Sequence, residues 1–248
     1  PPPEVRIYML AGTQHGPGAL PLHDTAPAGA RGSNWFNVVD HSPLVRAALV
    51  NLDRWVSEGI EPPPSVFPRL AVGTAIPRER VLDSFRRFPS AALLSAGSLP
   101  TLRRIDLGPE AEQGIGRYPA ATGEPFPSHV SAIDADGNET AGIRLPDQTV
   151  PVGTHTGWNP RHPDTGGTGQ NVDMQGSTLP FAATREERER TGDPRPSIAE
   201  RYRDRDDYVA RVRKEARRLV ADRFLLEEDV ELAVALAAER YDVLTRAN

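Results

Sequence analysis

The sequence predicts an α/β chain, on three observations. Val5-Arg6-Ile7-Tyr8-Met9-Leu10 is a short, β-prone apolar run that stops at Ala11-Gly12. A segment opening at Ser42-Pro43 repeats apolar residues at helical spacing and ends at Gly59, before Pro62-Pro63-Pro64. The last third carries two Ser/Thr-x-x-Glu signatures and long helical patterns. A short continuous apolar run reads as a strand buried on both faces of a parallel sheet, and a 3.6-residue period reads as a helix with one inward face.

The elements follow in order. After the first strand, Gly12-Thr13-Gln14-His15-Gly16 is a sharp turn with a polar tip, and residues 17–41 form a loop rich in Pro, Gly and Ala. Serine suits an N-cap and proline the first helical position, so a helix begins at Ser42-Pro43. Its predicted inward face is Leu44, Val45, Ala48, Leu49, Leu52, Trp55 and Val56, with Gly59 at C′. Residues 60–130 show no helix of ordinary length and few alternating runs. A segment so long and irregular is ordered by lying across a body it does not itself contain. Val130–Ile133 and Thr140–Leu145 flank Asp136-Gly137, a hairpin signal. Thr149–Val152 reads as a further short strand and residues 153–178 as a Gly-rich loop. Thr184/Glu187 and Ser197/Glu200 fit the capping box, where a hydroxyl and a carboxylate satisfy orphan amides reciprocally. A helix over Arg205–Phe224 presents Tyr208, Val209, Val212, Ala216, Leu219 and Val220, and Asp229 caps a last helix running through Tyr241. The organisation expected is 1–59 as strand, turn and helix, 60–183 as an irregular segment with a hairpin, and 184–248 as a helical extension.

Composition narrows the function. The 248 residues carry 29 basic and 34 acidic side chains, a net charge of −5. Without a net positive field to release counterions, no nucleic-acid partner is expected. Proline reaches 25 residues, which marks a loop-rich globular chain. Cysteine is absent, so disulfides, thiolate catalysis and cysteine-ligated metal centres are excluded. No apolar stretch approaches the ~18 residues of a membrane span. The compartment is left open.

His15 is the candidate for chemistry, because it sits in a Gly-flanked turn straight after a buried strand. Open α/β sheets place ligands outside the carboxyl ends of their strands, and imidazole exchanges protons near neutral pH. The plainer reading is an exposed loop histidine.

The same residues carry a resemblance. Val5–Gly16 resembles the histidine loop of a bacterial family in the alpha/beta-hydrolase superfamily. The likeness continues through Leu44–Gly59, Pro62–Ser65, Asp134–Glu139, Ala141–Pro146, Thr156–Asn159, Pro180–Ala182 and Gly192–Ser197. The resemblance implies the C-terminal portion of a hydrolase fold: last strand, histidine loop and helix, followed by the hairpin and a helical extension. It implies a serine hydrolase, an esterase on a small-molecule carboxylic ester, with chain order Ser…acid…His and His15 as the triad base. No Gly-x-Ser-x-Gly occurs in the sequence, and Leu93-Leu94-Ser95-Ala96-Gly97 lacks the first glycine. The nucleophile, acid and oxyanion hole are therefore expected upstream of Pro1, in an N-terminal part of the core that is this chain's partner. The chain alone is expected to be inactive. The lone parallel strand, with no neighbours found for it, points the same way. The alternative is a non-catalytic accessory module that docks to a partner chain.

Other constellations carry less. Asp134–Glu139 resembles the opening of a calcium loop, but Leu145 stands where position 12 needs a glutamate, which favours a hairpin turn. His155 and His162 frame a loop with no third ligand evident, so no metal and no cofactor is expected. Trp158 suits an anchor or a pocket wall. His23 with Asp24 reads as solvated loop, and His129 has no recognisable context.

Overall fold

The computed structural model describes residues 1–89 and 91–246. Its organising sheet is antiparallel and small: β1 (Trp35–Phe36), β7 (Ser177–Pro180) and β6 (Gly153–Thr156), in that spatial order. His155 lies opposite Thr178, and Trp35 pairs with the same threonine from the other side. These strands are polar yet fully buried on β6, so their side chains need internal partners. Asn138 supplies them by accepting from His155 N at 3.0 Å and donating to Gly153 O at 3.1 Å. Asn159, 0% exposed, bonds Asn34 from both ends of its amide. The strand read at Thr149–Val152 lies later, at β6. Pro146–Thr149 forms the short helix α3 instead, because Pro146 presets its first turn. The loop expected over 153–178 is shorter than read, because β6 takes its first four residues and β7 its last two.

Residues 5–10 do not form a ladder strand. They run extended between single parallel bridges, Tyr8 with Val66 on one side and Leu10 with Ile143 on the other. Met9 N donates to Val66 O, and Ala11 N and Ile143 N exchange bonds with Ile143 O and Met9 O. The chain thus supplies one neighbour on each side, where none was expected. Val5 and Ile7 stay about two-fifths exposed.

Residues 60–130 hold two short antiparallel pairs. β2 (Ala75–Pro77) pairs with β5 (His129–Ser131), and β3 (Arg103–Asp106) with β4 (Ala121–Pro125). The helix α2 (Arg78–Phe85) spans two turns and buries Val81, Leu82 and Phe85. The Asp136-Gly137 turn is built as expected: Ile133 bridges Glu139, and Asp134 Oδ1 accepts from the Asp136 and Asn138 amides.

The helical part follows its predicted caps except at the last helix, where Asp229 holds the N-cap position but its carboxylate pairs with Arg46 and makes no capping bond. Thr184 accepts from Glu187 N to open α4 (Arg185–Thr191). Ser197 and Glu200 form a complete capping box on α5 (Ile198–Arg201). Asp204 caps α6 (Arg205–Ala221), which packs on α7 (Val230–Leu244) around Tyr208, Val212, Ala216 and Leu219. On α7 the buried face includes Val230, Ala233, Val234 and Ala237, while Leu232 points out. That helix is apolar almost all round, so its period could not select a face. Arg240 of α7 and Asp147 of α3 form a buried pair at 2.6 Å. Among the described residues no helix is long and apolar enough to cross a membrane.

The helix α1 (Ser42–Glu58) exists as read, with Gly59 at φ 70 closing it, but His41 holds the N-cap position in place of Ser42. Its inward face is Pro43, Leu44, Ala47 and Asn51. Asn51 bonds Arg223 O at 2.7 Å and Arg46 pairs with Asp229 at 2.6 Å, which fixes that polar-tinged face on the α6–α7 turn. The expected apolar face is mostly outside: Val45 is 52% exposed, Leu49 65%, Leu52 51% and Val56 81%.

One cation ties the sheet to the rest. Arg195, 1% exposed, pairs with Asp193 at 2.6 Å and donates to Thr154 Oγ1 and Leu179 O, between the rings of Phe88 and Phe181. Arg195→Ala strands a buried carboxylate and two acceptors, so it is expected to cost about 3–5 kcal/mol. Val56→Glu on the exposed stripe is expected to stay within about 0.5 kcal/mol. Urea unfolding of the two variants beside the parent chain checks both.

Candidate functional site

The turn at residues 12–16 is rigidly held although its tip is exposed. Gly12 takes φ +63, and a Cβ there would meet Gln148 Nε2 at 2.6 Å, so glycine is required for both conformation and space. Gly12 N donates to Glu139 Oε2 at 2.7 Å, and Gly12 O accepts from Asn37 Nδ2 at 2.8 Å. Asn37 reaches on to Thr156 O at 2.9 Å, which ties the turn to β6. Thr13 Oγ1 donates to Leu10 O, and Gln14 Oε1 accepts from Gly176 N. His15 N donates to Met174 O at 3.3 Å, and Met174 itself takes a left-handed φ of 61. The outcome is an exposed His15 side chain on a backbone fixed from several sides.

Two groups behind this turn escaped the sequence reading. Glu139 is held between its bond to Gly12 and an apolar surround, and burial pushes its carboxyl above the ordinary range. His41 is 8% exposed, its Nδ1 has no partner among the described residues, and burial holds its imidazole below the usual range. Asp40 opposes that shift, and the charge of His15 adds to it. Position 41 is a helix boundary and position 139 ends a turn. Neither carries a spacing signal that a reader could find.

A cavity of about 300 Å³ opens on the inner side of the turn. Its walls include Val81, Phe85, Ile133 and Trp158, with Glu139 and His155 among its polar members. Trp158 is therefore a pocket wall, packed edge-on against Phe85 at 5.2 Å between ring centres. Gly157, also lining it, would carry a Cβ at 2.9 Å from Thr13 O, so cavity and turn share a wall. His15 does not line this cavity.

The remaining histidines are placed apart. His155 is buried in β6, while His162 accepts from Asp164 N at the head of a short turn. His23 stacks edge-on against Phe36, and His129 sits exposed in β5. Asp136 pairs with Arg201 at 2.5 Å, which commits that carboxylate to the helical part. Among the described residues no group of three or more His, Asp or Glu side chains could hold a metal ion.

The model of one family, the alpha/beta hydrolase domain, matches residues 2–235, and the chain belongs to that family. No curated protein and no solved structure matches the chain.

His155 gives a pH test of the site's interior. Burial lowers its pKa to about 4, against an ordinary 6.5. The unfolded chain binds the proton more readily, so this contribution to stability is complete above pH ~6.5 and is lost as pH falls toward 4. Urea unfolding between pH 4 and 7 is expected to show His155→Phe losing part of the parent's acid sensitivity, on the order of 3 kcal/mol over that window.

Proposed function

We propose that this member of the alpha/beta hydrolase domain family forms part of a serine hydrolase that cleaves carboxylic esters, with His15 as the general base. The observation that carries the reading is the turn itself: an exposed imidazole on a backbone pinned by Glu139, Asn37, Gln14 and Met174. A general base has to meet its nucleophile from a fixed position, and pinning the backbone removes the entropy of finding it. His15 would take the serine proton as the hydroxyl attacks the ester carbonyl. It would return that proton to the departing alcohol, and then activate water to release the acyl group.

The nucleophile, the acid and the oxyanion donors would come from a hydrolase core packed against residues 5–10 and α1. Supporting this is the exposed stripe of Val45, Leu49, Leu52 and Val56 along α1, with Val5 and Ile7 also exposed. A contiguous apolar surface of this kind marks an interaction face. Arg6, stacked 4.8 Å over the Trp55 ring and paired with Glu61, joins the extended segment and the helix into one surface. The same stripe also suits a non-catalytic module that docks to a partner, and catalysis separates the two readings.

The test uses the chain together with its core, assayed on 4-nitrophenyl esters. His15→Ala is expected to lower kcat/KM by at least about a thousandfold. Leu49→Glu is expected to weaken assembly with the core. Hydrolysis by the complex that survives His15→Ala unchanged sinks the catalytic role and leaves the docking reading.

A further inference from the structure

We propose that the cavity behind the histidine turn binds a small apolar molecule bearing one hydroxyl group, such as an alkylphenol. Its walls are mostly apolar, with Val81, Leu82, Phe85, Ile133 and Trp158 from three separate stretches of chain. Such a wall accepts a ring or a short alkyl chain, and a few placed polar groups then select the ligand.

Two of those polar groups have spare capacity. His155 is 1% exposed, and its Nε2 has no partner among the described residues. Its Nδ1 lies 3.1 Å from Thr178 Oγ1, which already accepts from Val38 N at 3.1 Å. The hydroxyl proton of Thr178 is satisfied if it is donated to Nδ1, and that assignment leaves Nε2 carrying its hydrogen as a donor. Asn171, which lines the same cavity, offers the opposite: its Oδ1 is buried and has no donor among the described residues. A buried donor and a buried acceptor left unmade are each costly. A hydroxyl is the smallest group that both accepts from an N–H and donates to a carbonyl. Two charged side chains line the cavity: Glu139 disfavours an anion there, and the Arg78 guanidinium is already taken up by Glu79, Pro100 O and Thr101 Oγ1. A lone carboxylate or phosphate is thus a poorer match than a neutral alcohol or phenol. The low pKa of His155 agrees, since a neutral imidazole does not call for an anionic partner.

The binding is read without turnover, so it stands or falls apart from the chemistry of His15. Calorimetric titration of the 248-residue chain with 4-propylphenol is expected to show one saturable site. 4-Propylanisole keeps the acceptor and loses the donor, and is expected to bind on the order of tenfold more weakly. Asn171→Ala is expected to bring the two ligands together, and Leu99→Trp at the cavity wall to abolish both with circular dichroism unchanged. No saturable binding by the parent chain overturns the proposal. So does equal affinity for phenol and ether, or phenol binding that survives Leu99→Trp.

Discussion

The buried guanidinium of Arg195 is the contact on which the small sheet depends. Arg195 has no exposed side-chain surface, and it reaches Asp193, Thr154, Leu179 and Pro180 at once. Its guanidinium plane is closed above and below by Phe88 and Phe181. A fork of fixed N–H groups can satisfy several acceptors in one geometry, which an ammonium cannot do. The charge is affordable only because Asp193 is bidentate to it and the rings supply their negative faces. β6 and β7 are thereby set relative to the cavity, and the cavity relative to the histidine turn.

That arrangement explains why the sheet was not read from the sequence. Gly153-Thr-His-Thr156 and Ser177-Thr-Leu-Pro180 have no apolar alternation, and they resemble loop in composition. Their burial rests on Asn34, Asn37, Asn138 and Asn159, whose side-chain amides each meet backbone groups far off in the chain. Side-chain amides that replace ladder partners leave no period behind. By contrast, the Ser197/Glu200 capping box, the Thr184 cap, the Asp136-Gly137 turn, α6 and Gly59 were legible, since each is a local solution to a local hydrogen-bonding problem; at Thr184 the Glu187 carboxylate takes the Ala183 amide, so that box is only half made.

The helix α1 shows the limit of periodicity from the other direction. Its apolar spacing located the helix, yet the face it marked looks outward. The inward side is fixed by Asn51 and Arg46, whose partners Arg223 and Asp229 lie far along the chain. Periodicity reports that a face is apolar, and it does not report what the face meets. The turn that carries His15 was legible through its glycines. Glu139 and His41 were not, because their importance comes from burial against residues distant in sequence.

These features assign two sides to one short turn. On the inner side, the Gly12 amide and carbonyl are bonded to Glu139 and Asn37, and Gly157 and Thr156 join the turn to the cavity wall. On the outer side, the His15 side chain is exposed, with the apolar outer face of α1 left unburied elsewhere on the surface. Backbone groups satisfied on the inner side fix the turn that carries the imidazole. Glu139 and Gly157 line the cavity and meet the turn at Gly12 and Thr13, so a molecule bound there lies one residue away from the backbone that carries His15.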